Sequence, residues 1–259
     1  MCVLYSCFRF LQSIWQCGSG EIICKLVNQL VMEGNKKVVV LGDSIARGVV
    51  LMGSRYTLLK EGVAEMCADM LHLSLQNYSK MGCTIEKGQQ MLEQRREAVA
   101  EADITVLEFG GNDSDFNWGE IAETPAQEHD PRTPTGRFVE VYRAMIQRVR
   151  ELGSKPVMIS LPLMDGQRFI DFQTRNMTAV ERRNVYEWLG DVERVRNYHD
   201  MYNLEVFRLA AAERVPLLDI TTPFLLSRDY AANLCADGIH PNADGHRMMA
   251  QWLAKTLQN

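Results

Sequence analysis

Short runs of β-branched and aliphatic residues alternate along the chain with stretches that have a helical period. The clearest apolar runs are KVVVLG at 37–42, DITVLEFGG at 103–111, KPVMISLPL at 155–163 and VPLLDI at 215–220, with a weaker run, LSLQNYS, at 73–79. Short, nearly continuous apolar runs are typical of strands buried on both faces. Such strands, when separated by helices, form right-handed βαβ crossovers. The pattern therefore predicts an α/β fold with a parallel sheet between two helical layers.

Five segments between these runs carry apolar residues at spacings of three and four, which predicts helices. They are 57–73, 84–102, 136–153, 179–214 with a break at Gly190, and the segment that follows Asn242, a predicted N-cap. One long stretch, 112–136, has no clear period and contains three prolines. Because a loop of this length in a compact domain is usually functional or disordered, and because it directly follows a predicted strand, we expect it to border a functional site.

A chain of 259 residues is long enough for one well-filled α/β domain. The segment EGNKKVVVLGDS after Met32 is a natural domain start, which predicts a single domain over 32–259 and an N-terminal appendage over 1–31. The appendage is apolar, but it lacks the basic start of a secretory signal, and Arg9 interrupts its apolar run. We therefore expect a cytoplasmic protein without stable membrane insertion. The alternative is that residues 1–31 act as a weak signal or anchor.

Charge and cysteine usage exclude several classes of function. The net charge of −5, with no run of Lys or Arg, provides neither the footprint of a nucleic-acid-binding protein nor a basic membrane-binding patch. The seven cysteines include no CxxC pair, which argues against zinc knuckles and thioredoxin-type motifs. Free thiols in a reducing compartment explain them best.

Polar or small residues follow the predicted strands or precede the last helix in four separate blocks. Ser44 ends the first strand, Gly82 follows the second and Asn112 follows the third, while Asp237 and His240 lie just before the last helix. In open parallel sheets, ligands bind outside the carboxyl ends of the strands. The topology therefore predicts that these residues come together at one edge of the sheet.

These residue types are those required for acyl transfer. A serine such as Ser44 needs a histidine to take its proton, and the histidine needs an acceptor on its other ring nitrogen. Asp237, three residues before His240, can supply that acceptor. The oxyanion formed on attack needs preorganised donors. The N–H of Ser44, the N–H of Gly82 and the amide of Asn112 are the candidates.

The four blocks LGDSIARG, NYSKMGC, FGGNDS and DGIHPN resemble, in content and order, those of the SGNH (GDSL-type) hydrolase superfamily. Ile45 stands where the family often has leucine. The resemblance implies a flavodoxin-like three-layer α/β/α sandwich with about five parallel strands. It also implies that Ser44 is the nucleophile, that His240 is the base oriented by Asp237, and that Gly82 and Asn112 complete the oxyanion hole.

Four further residues are candidates for contact with substrate. Asp43 and Asp113 flank the key serine and asparagine, although bracing of nearby backbone is an alternative role for both. Phe116 and Trp118 in the long loop are candidates to line the pocket, with anchoring of the loop as the alternative.

No metal or organic cofactor is expected. The spacing of Asp244 and His246 near His240 suggests a metal site at first sight. However, helix geometry separates Asp244 and His246 by about 200° around the axis. We therefore predict that these residues do not form a metal site.

The function predicted from these residues is that of a serine esterase or acylhydrolase acting on a small-molecule or glycan ester. Two alternatives remain open at this point. One is an O-acyltransferase that uses the same acyl-enzyme, and the other is a non-catalytic glycan- or protein-binding module on this fold. The residues do not define the oligomeric state, the acyl chain or the leaving group.

Overall fold

The structure, a computed structural model, describes residues 35–258. The predicted appendage at 1–31 and the predicted domain start at 32 lie outside the described residues. Within the described part of the chain, seven strands form a five-stranded sheet and a separate two-stranded hairpin. The strands are β1 (Lys37–Gly42), β2 (Val49–Met52), β3 (Arg55–Leu58), β4 (Ser74–Asn77), β5 (Ile104–Glu108), β6 (Lys155–Ile159) and β7 (Leu217–Leu218).

Helices connect these strands and agree largely with the helical periods of the sequence. The predicted helix 84–102 is divided at Arg95, and the predicted stretch 179–214 breaks at Gly190 as expected. No helix over residues 35–258 is long and apolar enough to cross a membrane. The helices are α1 (Ser44–Arg47), α2 (Val63–Met70), α3 (Ile85–Gln94), α4 (Arg96–Ala100), α5 (Trp118–Glu123), α6 (Thr135–Glu151), α7 (Gly166–Gln173), α8 (Ala179–Leu189), α9 (Glu193–Glu213), α10 (Thr222–Leu226) and α11 (Ala243–Gln258), with a 3₁₀ turn at Tyr230–Asn233.

The large sheet has the order β4-β1-β5-β6-β7, and every neighbouring pair is parallel. Counted by their place along the chain, these strands stand in the order 2-1-3-4-5, which is the flavodoxin-like order. The predicted three-layer α/β/α fold is therefore confirmed. The chain changes direction across the sheet between β1 and β5, and the carboxyl ends of these two strands border the crevice in which such folds bind ligands.

Strand β1 shows why the sequence folds in this way. Val39 and Leu41 pack into the core on one face of the sheet, with Phe138 and Met145 of α6. Val38 and Val40 pack into the core on the other face. Because alternate side chains of a strand point to opposite faces, a strand covered on both sides has to be apolar at every position.

The prediction of a helix over 57–73 is wrong in its first third. Residues 49–58 form an antiparallel hairpin in which Val49 pairs with Leu58 and Leu51 pairs with Tyr56, and α2 begins only at Val63. The hairpin stays attached because Val50 and Leu51 pack against Cys235. Cross-strand pairing and this tertiary contact thus override the helical spacing of the sequence.

The long stretch 112–136 is ordered by a short helix, α5, within it. Phe116, Trp118 and Ile121 are buried and pack with residues of α7, α8 and α9 in one core cluster. A stretch that looks irregular in sequence is therefore tied to the domain by its aromatic residues.

Candidate active site

Ser44 lies where β1 passes into α1, at the carboxyl edge of the sheet. Asp43 caps this helix, and its Oδ1 accepts a hydrogen bond from Ile45 N at 2.8 Å. The turn is tight against the neighbouring strand: a Cβ on Gly42 would lie 2.9 Å from Oε2 of Glu108. In this Gly-Asp-Ser run, Gly42 allows β1 to lie close to β5, Asp43 caps α1, and Ser44 presents its hydroxyl at the edge of the sheet.

His240 bridges Ser44 and Asp237. Its Nε2 lies 2.9 Å from Ser44 Oγ, and its Nδ1 lies 2.7 Å from Asp237 Oδ2. The other carboxylate oxygen of Asp237 accepts hydrogen bonds from the backbone N of Ile239 and of His240, at 3.2 and 3.1 Å. The structure therefore brings the three predicted catalytic residues into one hydrogen-bonded chain.

The turn between Asp237 and His240 requires a glycine. Gly238 has a φ of +73°, a left-handed conformation that side chains disfavour. A Cβ at this position would also lie 2.6 Å from the carbonyl oxygen of Asp165. The DGIH run is thus the local sequence that places an acid and a histidine on the same side of one turn.

Electrostatics favour an ionised Asp237. Burial by itself raises the pKa of this carboxyl, but the hydrogen bonds and charge of His240, with the backbone bond from Ile239, outweigh it and hold the pKa below its usual value. An anionic Asp237 can accept a hydrogen bond from Nδ1–H, and this tautomer leaves Nε2 without a proton and able to accept one from Ser44.

The sequence did not reveal Tyr56 as a site residue. Its ring lies 5.1 Å from the His240 ring, at an interplanar angle of 58°. Burial raises the pKa of the Tyr56 hydroxyl, and the charge of Asp237 with a hydrogen-bonding interaction to that carboxylate raises it further. Tyr56 therefore covers one side of the Asp237–His240 pair as a neutral phenol. Its position depends on the hairpin, which the helical spacing concealed.

A cavity of about 150 Å³ opens above Ser44. Gly82, Asn112 and His240 line it together with the serine, so the two predicted oxyanion-hole residues lie at the same cavity. The Asn112 amide donates to Asp43 Oδ2 at 2.8 Å, and an amide nitrogen has a second N–H for another acceptor. The predicted roles of Gly82 and Asn112 fit this placement.

A second residue that sequence reasoning missed is Glu108, the last residue of β5. Its Oε2 accepts from Asp43 N at 3.0 Å, while its Oε1 is buried without a hydrogen-bond partner. Burial raises the pKa of both Asp43 and Glu108, and their proximity raises the pKa of Asp43 further. The pair therefore keeps a proton at pH values where exposed carboxyls have lost theirs. A charged residue at the end of a fully buried strand is the sequence feature that could have identified Glu108.

Asp113, Phe116 and Trp118 do not line the cavity above Ser44, although the two aromatics line a small pocket that shares Asp115 and Phe169 with it. Asp113 is fully buried, and its carboxylate accepts from Ile85 N at 2.9 Å, which braces α3. Phe116 packs against Tyr198 at 4.9 Å between ring centres, and Trp118 donates from Nε1 to Asp115 Oδ1 at 2.9 Å. These contacts replace the predicted substrate contact of Asp113 by a bracing role, and for Phe116 and Trp118 they favour the alternative of anchoring the loop.

Asp43 differs from these three residues because it does border the cavity. Its two carboxylate oxygens are engaged by Ile45 N and by the Asn112 amide. Asp43 therefore positions the Ser44 turn and Asn112, and its predicted direct contact with substrate is replaced by this positioning role.

Within residues 35–258, no group of three or more His, Cys, Asp or Glu side chains is arranged to hold a metal ion. His246 instead accepts a hydrogen bond at Nδ1 from Val63 N, the first residue of α2, at 3.2 Å. Asn242 caps α11 as predicted, since its Oδ1 accepts from the backbone N of Asp244 and of Gly245. His246, in the first turn of α11, therefore joins α11 to α2.

The substitution His246→Asn is expected to weaken the acid sensitivity of folding. Burial and the charge of His240 lower the pKa of His246 to about 4. Because the unfolded chain binds this proton more readily, wild-type stability falls as pH drops from about 6.5 toward 4. Between pH 7 and 5, His246 accounts for a loss of about 2 kcal/mol, which the asparagine variant does not undergo. Urea unfolding of both proteins at the two pH values measures this difference. Equal losses of stability in the two proteins would contradict the lowered pKa of His246.

Comparison with known proteins gives the family and agrees with the fold. The family model described as the GDSL-like Lipase/Acylhydrolase family matches residues 40–248. A lipase/acylhydrolase from Enterococcus faecalis has a similar structure, with a TM-score of 0.59 at 16% identity, over 86% of this chain and 95% of that one. LAE5, an alpha/beta hydrolase enzyme from the metagenome of Lake Arreo, Spain, reaches a TM-score of 0.60 at 19% identity, over 87% and 97% of the two chains.

A variant of Axe2, an acetyl-xylooligosaccharide esterase from Geobacillus stearothermophilus, has a TM-score of 0.60 at 17% identity, over 87% of this chain and 96% of that chain. A search of curated protein sequences found no match. The fold and the Ser44–His240–Asp237 arrangement define the class as that of the ester-cleaving SGNH hydrolases. The chain belongs to the GDSL-like lipase/acylhydrolase family.

Proposed function

We propose that the protein is a serine esterase that hydrolyses a small-molecule or glycan carboxylic ester through an acyl-enzyme on Ser44. The observation that carries the proposal is the unbroken hydrogen-bonded chain from Ser44 Oγ through both nitrogens of His240 to Asp237. A binding module does not need a base within reach of a buried serine. For this reason we prefer the hydrolase to a non-catalytic role.

In the first half of the reaction, His240 Nε2 takes the proton of Ser44 as Oγ bonds to the ester carbonyl carbon. The oxyanion that forms is stabilised by the N–H groups of Ser44 and Gly82 and by the Asn112 amide. As the intermediate collapses, the bond to the alcohol breaks, and His240 returns the proton to the leaving alkoxide. Asp237 stabilises the imidazolium throughout.

In the second half, His240 takes a proton from a water molecule as the water oxygen attacks the acyl carbon. His240 then returns the proton to Ser44 Oγ as the bond to the acyl group breaks and the carboxylic acid leaves. No cofactor takes part in the proposed cycle. The cavity of about 150 Å³ favours a short acyl group. A glycan ester is among the proposed substrates because the structurally similar Axe2 is an acetyl-xylooligosaccharide esterase.

The test combines an ester series with a product balance. We expect turnover of p-nitrophenyl esters from acetate to decanoate to be fastest at the short end, with alcohol and free acid released in equal amounts. A fluorophosphonate should label one site, identified as Ser44 by peptide mass spectrometry. Alcohol in excess of acid would indicate acyl transfer to another hydroxyl, and a failure to label Ser44 would overturn the serine mechanism.

A further inference from the structure

A second and larger cavity adjoins the one above Ser44. It is an open groove of about 640 Å³, and Tyr56 and Met81 line both cavities. The segment 78–82 runs along the groove as far as Gly82 at the candidate oxyanion hole. A substituent of a substrate bound at Ser44 can therefore extend into this groove.

Three cationic side chains line the groove, and they come from separate parts of the chain. Arg47 ends α1, Lys80 follows β4, and Arg95 lies between α3 and α4. None of the three forms an ion pair within the part of the chain that the structure describes. The Arg95 guanidinium is stacked on the ring of Tyr78, 4.6 Å from its centre, which fixes its position without neutralising its charge.

No Asp or Glu is found among the described residues that line this groove. Glu65 lies behind the wall, where its carboxylate accepts from the Asn77 amide at 2.9 Å and from Gly62 N at 3.1 Å. In a chain with a net charge of −5, a groove lined by three cations and no acid is a local reversal of charge. Such a cleft concentrates anions.

A buried hydroxyl in the same groove points independently to a ligand. Ser79 lines the groove and is only 3% exposed, and its Oγ has no hydrogen-bond partner. Buried polar groups are nearly always hydrogen-bonded, so an orphan hydroxyl next to cations is a group prepared for an acceptor. Phosphate and carboxylate oxygens accept strongly from hydroxyl, ammonium and guanidinium groups.

We propose that this groove binds an anionic group, a phosphate or a carboxylate, carried by the ester that is cleaved at Ser44. The proposal rests on the proposed function and names the substrate class for it. The anionic group bonds to Lys80, Arg95 and Ser79, while the ester carbonyl lies at Ser44. The groove should bind the anionic group mainly through electrostatic attraction, so its affinity for that group should fall as added salt shortens the Debye length.

The test compares matched pairs of neutral and anionic esters. On the acyl side, p-nitrophenyl valerate is paired with mono-p-nitrophenyl glutarate, in which a carboxylate replaces the terminal methyl group. On the alcohol side, monobutyrylglycerol is paired with its 3-phosphate. We expect kcat/KM to favour the anionic member of at least one pair by roughly tenfold at low salt, and the favoured pair identifies the group.

The double variant Lys80→Gln, Arg95→Gln should remove most of this preference while it leaves the rate on the neutral member within about twofold. Ser79→Ala should weaken the preference in the same direction. Lys155→Gln is the matched control, because Lys155 is an exposed lysine at the amino end of β6, away from the groove. Equal preferences in the wild type and the double variant would overturn the proposal.

The two proposals fail in different ways. Ser44-dependent cleavage of neutral esters without any preference for the anionic esters would support the proposed esterase and overturn the proposal that the groove binds an anion. If no ester is cleaved, the proposed function fails, and calorimetry on Ser44→Ala with monobutyrylglycerol 3-phosphate and with mono-p-nitrophenyl glutarate decides on the groove alone. Binding that the double variant weakens would support the groove, and binding that is absent or unchanged would overturn it.

Discussion

Replacement of Ser44 by alanine is expected to lower kcat/KM on short-chain p-nitrophenyl esters by at least about 10⁴-fold. The variant lacks the oxygen on which the proposed acyl-enzyme forms, so only oriented binding and the proposed oxyanion donors can accelerate attack by water. Stability should change by no more than about 1 kcal/mol, because the side chain gives up one hydrogen bond, that to His240. Initial rates and urea unfolding measure the two effects.

Ser114→Ala is a suitable control for Ser44→Ala. Ser114 is as buried as Ser44, at 6% exposure, and its Oγ likewise makes one hydrogen bond, to the carbonyl of Gly111 at 3.0 Å. Its loss should therefore cost comparable stability and leave turnover nearly unchanged. Similar rates for Ser44→Ala and wild type would show that the activity arises elsewhere in the preparation or on the protein.

The second large effect is expected for Asp237→Asn, which should lower kcat by about 10⁴-fold with the fold intact. An asparagine retains the size of the side chain and can still accept from the backbone N of His240. Its amide can also donate to Nδ1, which places the imidazole proton on Nε2 and removes the base that Ser44 needs. The charge that stabilises the imidazolium is lost as well.

Asp244→Asn is the control for this substitution, because it removes the same charge from a 74% exposed side chain near the site. Its activity should equal that of wild type. A pH–rate profile adds a further check: since the pKa of Asp237 is held below its usual range, any loss of activity at mildly acidic pH belongs to other groups. A loss of less than tenfold in Asp237→Asn would mean that another group orients His240.

The part of the site that could be predicted from sequence follows from the sheet. A run such as Val38–Leu41 is recognisable as a doubly buried strand, and parallel strands present their carboxyl ends at one edge. Ser44, Gly82 and Asn112 each follow a strand of this parallel sheet, so their meeting is a topological consequence. The Asp237–His240 turn is local, and its short spacing made it visible.

The parts that could not be predicted depend on tertiary contacts. The spacing of residues 57–73 suits a helix, and only the pairing of β2 with β3 and the contact with Cys235 decide otherwise. Tyr56 was missed for this reason. The cationic groove was equally hidden, because Arg47, Lys80 and Arg95 lie far from one another in sequence and line one groove only through the fold.

Periodicity also says nothing about which way a loop's aromatic residues face. Phe116 and Trp118 follow a strand that ends at the site, which made a pocket role plausible for both. In the structure they turn into a core cluster with Phe169 and Val185. The burial of large apolar area in that cluster outweighs any benefit of exposing these rings at the cavity.

The separation of Ser44 from its base has a consequence for biosynthesis. The two residues are 196 positions apart, and a ribosome that adds about 5–20 residues per second needs roughly 10–40 s to pass from one to the other. During that interval β1, β4 and β5 can already pair, because they are neighbours in the sheet and come first along the chain. A nascent chain stalled before His240 would thus contain paired strands and a serine with no base. Hydrolysis would then report that translation had passed residue 240, well after the start of sheet assembly.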